Sequence, residues 1–191
     1  MSLLRSTFRS DSATRRTANK CSSYTKKICY TSPMKILAID PGYERLGIAI
    51  LEKLPKVKER VLYSDCFKTS SKLTFKERLL LIGQEVERVI KKYEPEILSI
   101  ETLYFTNNQK TAMNVAEARG VIIYEAMRHG LSLAEYTPLQ IKIAVTGHGR
   151  SDKQQVISMI GRLVVIEKEI KHDDEYDAIA IGLTYCATAK F

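Results

Sequence analysis

The sequence has no tryptophan, and among its 191 residues are only five prolines, nine glycines and four cysteines. It also lacks a glycine period, a heptad pattern and any tract of extreme composition in its main part. With 45% hydrophobic, 8% aromatic and 27% charged residues, a collagen-like, coiled-coil or wholly disordered chain is excluded. No apolar run reaches the ~18 residues of a membrane-spanning helix. Cys21, Cys29, Cys66 and Cys186 are too few and too scattered for a disulfide framework or a zinc site. A reducing compartment is the simpler reading. The length argues for one folded domain.

What is present in excess is positive charge, a net +8, but it is unevenly placed. Residues 1–33 hold seven of the 30 basic residues and one of the 22 acids, so the other 158 residues carry a net charge of only +2. A nucleic-acid reading must therefore rest on local patches. In the leader 12 of 33 residues are Ser or Thr, and no helical or strand period holds. It has too little apolar surface to offset the entropy of ordering. Arg- and Ser-rich, acid-poor composition is that of an organelle transit peptide. The plainer reading is an upstream translated segment, because the chain enters a strand at Met34. The expected division is a disordered basic leader over 1–33 and a folded domain over 34–191.

From Met34 the pattern becomes regular. KILAID at 35–40 is a buried strand run ending in Asp40 and the turn Pro41-Gly42. GIAILE at 47–52 pairs with it as a hairpin, and 60–68 is a third strand. Phe75, Leu79, Ile82, Val86, Val89 and Tyr93 recur at steps of three and four, so an amphipathic helix is expected over 74–93. ILSIE at 97–101 is a second apolar run ending in an acid. A helix over 109–129, a strand over 131–136, two shorter helices over 138–145 and 152–164, and a final helix over 174–189 follow. Strands and helices in this order predict one mixed sheet with helices on both faces.

Two buried strands thus end in carboxylates, Asp40 and Glu101. A third acidic cluster, Asp173-Asp174-Glu175-Tyr176-Asp177, opens the last helix, where Asp174 and Asp177 share a face. Ligands of α/β sheets gather beyond the carboxyl ends of strands. Carboxylates converging there repel one another, and divalent cations neutralise them. All-oxygen donors select Mg²⁺ or Mn²⁺ over zinc, and two such ions about 3.5–4 Å apart suit phosphodiester hydrolysis. Taken singly, an Asp before Pro-Gly is a turn residue and acids at a helix start are dipole partners. Their joint placement favours the metal reading.

Four motifs, in order, resemble the RuvC family of Holliday-junction resolvases in the RNase H-like superfamily. They are Asp40-Pro41-Gly42 with Gly47; Glu101 with Tyr104, Phe105, Asn107, Asn108, Ala112 and Ala118-Arg119-Gly120; Gly147-His148-Gly149 with Lys153, Gln155 and Val156; and Asp174-Glu175-Tyr176-Asp177-Ala178-Ile179-Ala180. The match covers about residues 34–188. The resemblance implies an RNase H-like fold with a mixed five-stranded sheet and helices on both faces. It implies a structure-selective endonuclease that hydrolyses paired phosphodiesters of four-way DNA junctions in recombination and repair. It further implies catalysis and metal binding by Asp40, Glu101, Asp174 and Asp177, with two Mg²⁺ per site and Mn²⁺ as substitute, a homodimer, and a RuvA/RuvB-type branch-migration partner. The expected location is the bacterial cytoplasm, or an organelle if the leader is a transit peptide. Leu46-Gly47-Ile48-Ala49 is closer to the nucleases that process pre-16S ribosomal RNA, which stand as the alternative.

Beside these acids, Tyr104 and Phe105 are expected at the DNA, with Tyr104 as the ring that stacks on an unpaired base. Lys110, Lys142, Arg150 and Lys153 are expected to contact phosphates; by resemblance Lys142 and Lys153 lie near the scissile bond. His148 and His172 read as surface histidines, although His172 and Asp173 adjoin the acidic cluster. Ala112, Ala116 and Gly120 form a small-residue line that suits a two-fold dimer seam. A phosphotransferase of the actin-like kind would need a second glycine-rich phosphate motif, which the sequence does not contain. A binding module without catalysis would leave the acidic set without a purpose.

Overall fold

A computed structural model describes residues 33–103 and 109–189. Apart from Pro33, the leader lies outside the described residues. The elements run β1 (Met34–Asp40), β2 (Arg45–Lys53), β3 (Glu59–Lys68), α1 (Phe75–Tyr93), β4 (Ile97–Glu101), α2 (Gln109–Arg128), β5 (Ser132–Tyr136), α3 (Pro138–Thr146), α4 (Lys153–Leu163), β6 (Val164–Val165) and α5 (Asp173–Thr188). The sheet order is β5-β4-β1-β2-β3-β6. β1–β2 and β2–β3 are antiparallel, while β1–β4, β4–β5 and β3–β6 are parallel. The sheet therefore has six strands rather than the expected five. The sixth is a two-residue strand, Val164–Val165, that pairs with Glu59 and Arg60. Two residues are too few to show a period of their own.

Helix boundaries follow local chemistry. Thr74, Thr137 and Asp152 each form a capping box, with Glu77, Gln140 and Gln155 respectively. Each box satisfies backbone N–H groups that the first helical turn leaves without partners. Pro138 occupies the first position of α3, where its missing N–H costs nothing.

The two faces of the sheet are built differently. Leu37 and Ile39 of β1, Leu46, Ile48 and Ile50 of β2, and Leu98 and Ile100 of β4 point toward α1 and α2. There they pack on Ile82, Val86, Val89, Ala118 and Ile122. Each fully buried Leu or Ile contributes about 1.5–3 kcal/mol. The intervening residues point to the other face. On that side one row crosses five strands through paired positions: Ala134, Ser99, Ala38, Ala49 and Ser64. Every member is small. Helix α5 lies against this face, and Gly182 brings it close: a Cβ there would stand 3.1 Å from the Ala38 Cβ and 2.4 Å from Leu51 Cδ1. Two hydroxyls of the row pin the helix. Ser99 Oγ donates to the Ile181 carbonyl at 3.0 Å, and Ser64 Oγ donates to Glu175 Oε2 at 2.7 Å. A register shift between Ile50 and Leu51 leaves both Val61 and Ser64 on the α5 side of β3.

Candidate active site

Period-2 alternation that sends Ala38 and Ser99 toward α5 also sends Asp40 and Glu101 there. They stand one residue beyond the parallel pair Ile39 and Ile100, at the carboxyl ends of neighbouring strands. A cleft of about 350 Å³ opens at this point. Asp40, Glu101 and Asp177 line it, with Lys142 of α3 and Lys153 of α4, and Ile141 and Val156 form apolar walls.

Asp174 lies to one side, toward β2 and β3. Gly47 pairs with Asp40 on one flank and Cys66 on the other. A Cβ on Gly47 would come within 2.2 Å of the Asp174 carbonyl oxygen, so the absence of a side chain lets the first turn of α5 descend onto the strand. The Asp174 carboxylate then meets the Arg45 guanidinium in an ion pair and accepts the Cys66 thiol at 3.4 Å on the same Oδ2. Asp177 is paired with Lys153 at 3.2 Å, and Lys153 also reaches Asp173 at 3.2 Å.

These surroundings split the four acids electrostatically. Burial, then repulsion from Glu101, Asp177 and Asp174, pushes the Asp40 carboxyl up to about 7. Burial and the Asp177 charge push Glu101 up to about 7 as well. Burial also raises Asp177, against the pull of Lys153. Asp174 goes the other way. Burial opposes its charge, but its own backbone N–H, the Cys66 thiol and Arg45 outweigh that and hold it below the usual carboxylate range.

Residues outside the predicted set hold this arrangement in place. Glu175 is only 2% exposed; its carboxylate accepts from Ser64 Oγ, Lys168 Nζ and the Lys171 backbone N–H. It fixes the start of α5 to β3 and turns Asp174 and Asp177 toward the sheet end. Its sequence signal was its place three and four residues before Ala178 and Ile179, on the buried side of the helix. Arg119 Nε donates to the Glu101 carbonyl at 3.1 Å and its guanidinium pairs with Glu135, which ties the end of β4 to α2. Arg45 and Cys66 carry no sequence signal for their part, because their partner is far away along the chain.

The remaining expectations distribute as follows. Arg150 is exposed on the turn after α3 and is not among the residues lining the cleft. His172 stands at the N-cap position of α5 without a capping side-chain bond, and its ring contacts Lys68 Nζ at 3.1 Å, while His148 is exposed. Helix α5 begins at Asp173. Tyr104, Phe105 and the side chain of Lys110 lie outside the described residues.

The donor set fits divalent cations by chemistry. Burial destabilises the negative charges of Asp40, Glu101 and Asp177, and neighbouring carboxylates add to it, the condition that a hard cation relieves. Among the described residues no three His, Cys, Asp or Glu side chains stand together as a metal cage. Asp174 is paired with Arg45 and Asp177 with Lys153.

A family model described as crossover junction endodeoxyribonuclease RuvC matches residues 36–185. A crossover junction endodeoxyribonuclease RuvC from Desulfitobacterium hafniense is 41% identical over 152 residues, covering 80% of this chain and 92% of that protein. The Thermus thermophilus RuvC structure in complex with Holliday junction substrate superposes with a TM-score of 0.76 at 30% identity, covering 81% of this chain and 93% of that one. The yeast mitochondrial Holliday junction resolvase shares the fold at a TM-score of 0.63 and 13% identity, over 80% of this chain and 77% of its own.

Proposed function

The chain belongs to the RuvC family of crossover junction endodeoxyribonucleases, and from that premise we propose that Asp40, Glu101, Asp174 and Asp177 are the acids with which it cuts four-way DNA junctions. The observation that carries the assignment is the meeting of Asp40, Glu101 and Asp177 with Lys142 and Lys153 around one cleft. The pre-16S ribosomal RNA reading is not favoured, since the family match spans the whole folded part.

Metal dependence is the family's; the ion is proposed to be Mg²⁺, two per site, with Mn²⁺ as substitute. When bound by the four carboxylates, Mg²⁺ supplies charge neutralisation at the scissile phosphate and lowers the pKa of an attacking water. The protein's own contribution is placement. β1 and β4 fix Asp40 and Glu101 on rigid strand ends, and Arg119 holds the second of these in line. Glu175 and Gly47 set the depth of α5, hence where Asp174 and Asp177 stand. Lys142 and Lys153 put positive charge on the cleft wall, suited to a phosphate backbone. Ile141 and Val156 make that wall apolar and limit water.

The dimer is proposed on the same basis. Met113, Ala116, Gly120, Tyr124 and Met127 form a stripe along α2 at steps of three and four. Met113, Tyr124 and Met127 are exposed large apolar residues, as is Leu80 on α1, and a Cβ on Gly120 would meet nothing within 4 Å. Two copies related by a two-fold axis would present two clefts to the two strands of a symmetric junction. Tyr104 stays the proposed stacking ring, with Phe105, Lys110 and Arg150 as further DNA contacts, a RuvA/RuvB-type motor as partner and the bacterial cytoplasm as location. The leader 1–33 is proposed to lie outside the catalytic domain. Among the described residues no helix is long and apolar enough to cross a membrane.

The assay is Mg²⁺-dependent cleavage of a synthetic four-way junction beside linear duplex and structured RNA. Paired, symmetric nicks in the junction alone are expected. Equal cutting of duplex or RNA would remove the junction assignment.

A further inference from the structure

We propose that Arg45 is an internal counter-ion of Asp174, which holds this carboxylate in place in the metal-free enzyme and must release it before a divalent cation takes full hold. This rests on the reading of Asp174 as a metal-binding acid.

Three features carry it. Arg45 is the first residue of β2 and lies 129 residues from Asp174 in the chain, so the contact is a product of the fold. Its guanidinium is bound to Asp174 Oδ2, the oxygen that also accepts the Cys66 thiol. One carboxylate oxygen therefore has two donors on it, both from strands and neither from its own helix. The two partners are unequal in mobility. The Arg45 side chain is 50% exposed, that of Asp174 only 22%, and Cys66 is buried. Arg45 has room to swing into solvent, while Asp174 is held by the descent of α5 over Gly47. Asp177 has a comparable partner in Lys153, but Lys153 also lines the cleft and faces the DNA in the proposed reading. Arg45 is not among the cleft residues, so its contact with Asp174 has no counterpart in phosphate binding at the cleft.

The consequence is a competition. A cation approaching Asp174 meets a carboxylate already neutralised by a nearby guanidinium, so the DNA-free protein should bind divalent metal more weakly than its four acids suggest. Removing the guanidinium charge should strengthen binding, which is the opposite of what loss of a metal ligand or of a merely stabilising contact would do.

The test is Mn²⁺ titration of the DNA-free protein, with free Mn²⁺ followed by electron paramagnetic resonance, for wild type, Arg45→Gln, Arg45→Lys and Asp40→Asn. Arg45→Gln should bind Mn²⁺ about three- to five-fold more tightly, the scale of one partly exposed ion pair. Arg45→Lys should return most of the way to wild type. Melting in EDTA checks that each variant is folded. Unchanged or weaker Mn²⁺ binding by a folded Arg45→Gln overturns the counter-ion role. The Asp40→Asn arm separates this from failure of the site itself. If Asp40→Asn binds Mn²⁺ as wild type does, the acidic cleft is not the metal site and both readings fall. If only Asp40→Asn loses binding and Arg45→Gln stays at the wild-type value, the metal site stands and the counter-ion proposal alone falls.

Discussion

The two faces of the sheet pursue opposite solutions to packing. Toward α1 and α2 the strands present Leu and Ile, and the helices are held off by a thick aliphatic layer. Toward α5 they present a row of Ala and Ser, and the helix drops until its backbone nearly touches the sheet. The first face maximises buried apolar area. The second gives up area for position: it brings the acids of a helix down to the acids of two strands. Both faces bury an apolar core, but the candidate acids stand on the α5 side, and substitutions should separate the two faces.

The largest effect is expected from Asp40→Asn, on the α5 face. Junction cleavage should fall by roughly 10²–10³-fold or more, the scale of losing one charge-stabilising group at a reacting centre, while junction binding measured by mobility shift changes only a few-fold. Cleavage close to wild type would remove Asp40 from the site.

Next comes a matched pair one residue apart. Ile48→Ala empties part of the thick layer and should cost about 2–5 kcal/mol in denaturant unfolding, with kcat of the folded fraction little changed. Gly47→Ala on the opposite face should cost less stability, about 1–3 kcal/mol, yet depress cleavage strongly, because its Cβ would press on the Asp174 backbone. If both variants lose activity only in proportion to unfolded protein, the two faces are not functionally distinct.

The pH dependence of the metal-free protein gives a smaller effect with a definite sign. Asp40 and Glu101 are raised from ordinary values of 3.8 and 4.5 to about 7, so the folded protein keeps protons that the unfolded chain has released. The stability that these two groups contribute in EDTA should therefore be fully present below the ordinary values and decline as pH rises toward 7. Asp174 and Glu175, held low by their partners, act in the opposite sense. Their contribution is present above the unfolded values and is lost as pH falls through their folded values, outside this window. Melting scans should show wild type less stable at pH 8 than at pH 5.5. Asp40→Asn should flatten the trend and raise the melting temperature at pH 8 by ~2–4 °C for each 1 kcal/mol recovered. A flat wild-type profile would count against the burial and mutual repulsion of these acids.

The smallest effect is expected from Gly83→Ala, between α1 and α2. Its Cβ would meet Val121 Cγ1 at 3.2 Å and the flexible Glu125 side chain at 3.9 Å. That mild crowding is set against a helix-propensity gain of about 1 kcal/mol. A net change under about 1 kcal/mol, with cleavage intact, is expected by urea unfolding; a large loss of activity would place this helix pair in the functional machinery.

Much of this molecule was legible from local pattern. Asp40 and Glu101 could be singled out because each follows an apolar strand run, and Asp174 and Asp177 because they open a helix three residues apart. Periods of 2 and of about 3.6 are properties of adjacent residues, so a linear reading detects them. The sixth strand was missed because two residues carry no period. The row Ala134, Ser99, Ala38, Ala49 and Ser64 was missed because its members come from five separate strands and line up only after the register is set. Glu175 looked like one more acid of a cluster until burial showed it to be an anchor.

Local pattern along the chain sets the strands and helices, the sheet ends at which acids collect, and the kind of chemistry proposed for those acids. Their partners emerge only in three dimensions: which acids crowd the cleft, and which are answered by Arg45 or Lys153. Electrostatic energy depends on distance through space and on burial. Neither is set by separation along the chain, and Arg45 stands 129 residues from the carboxylate that it neutralises.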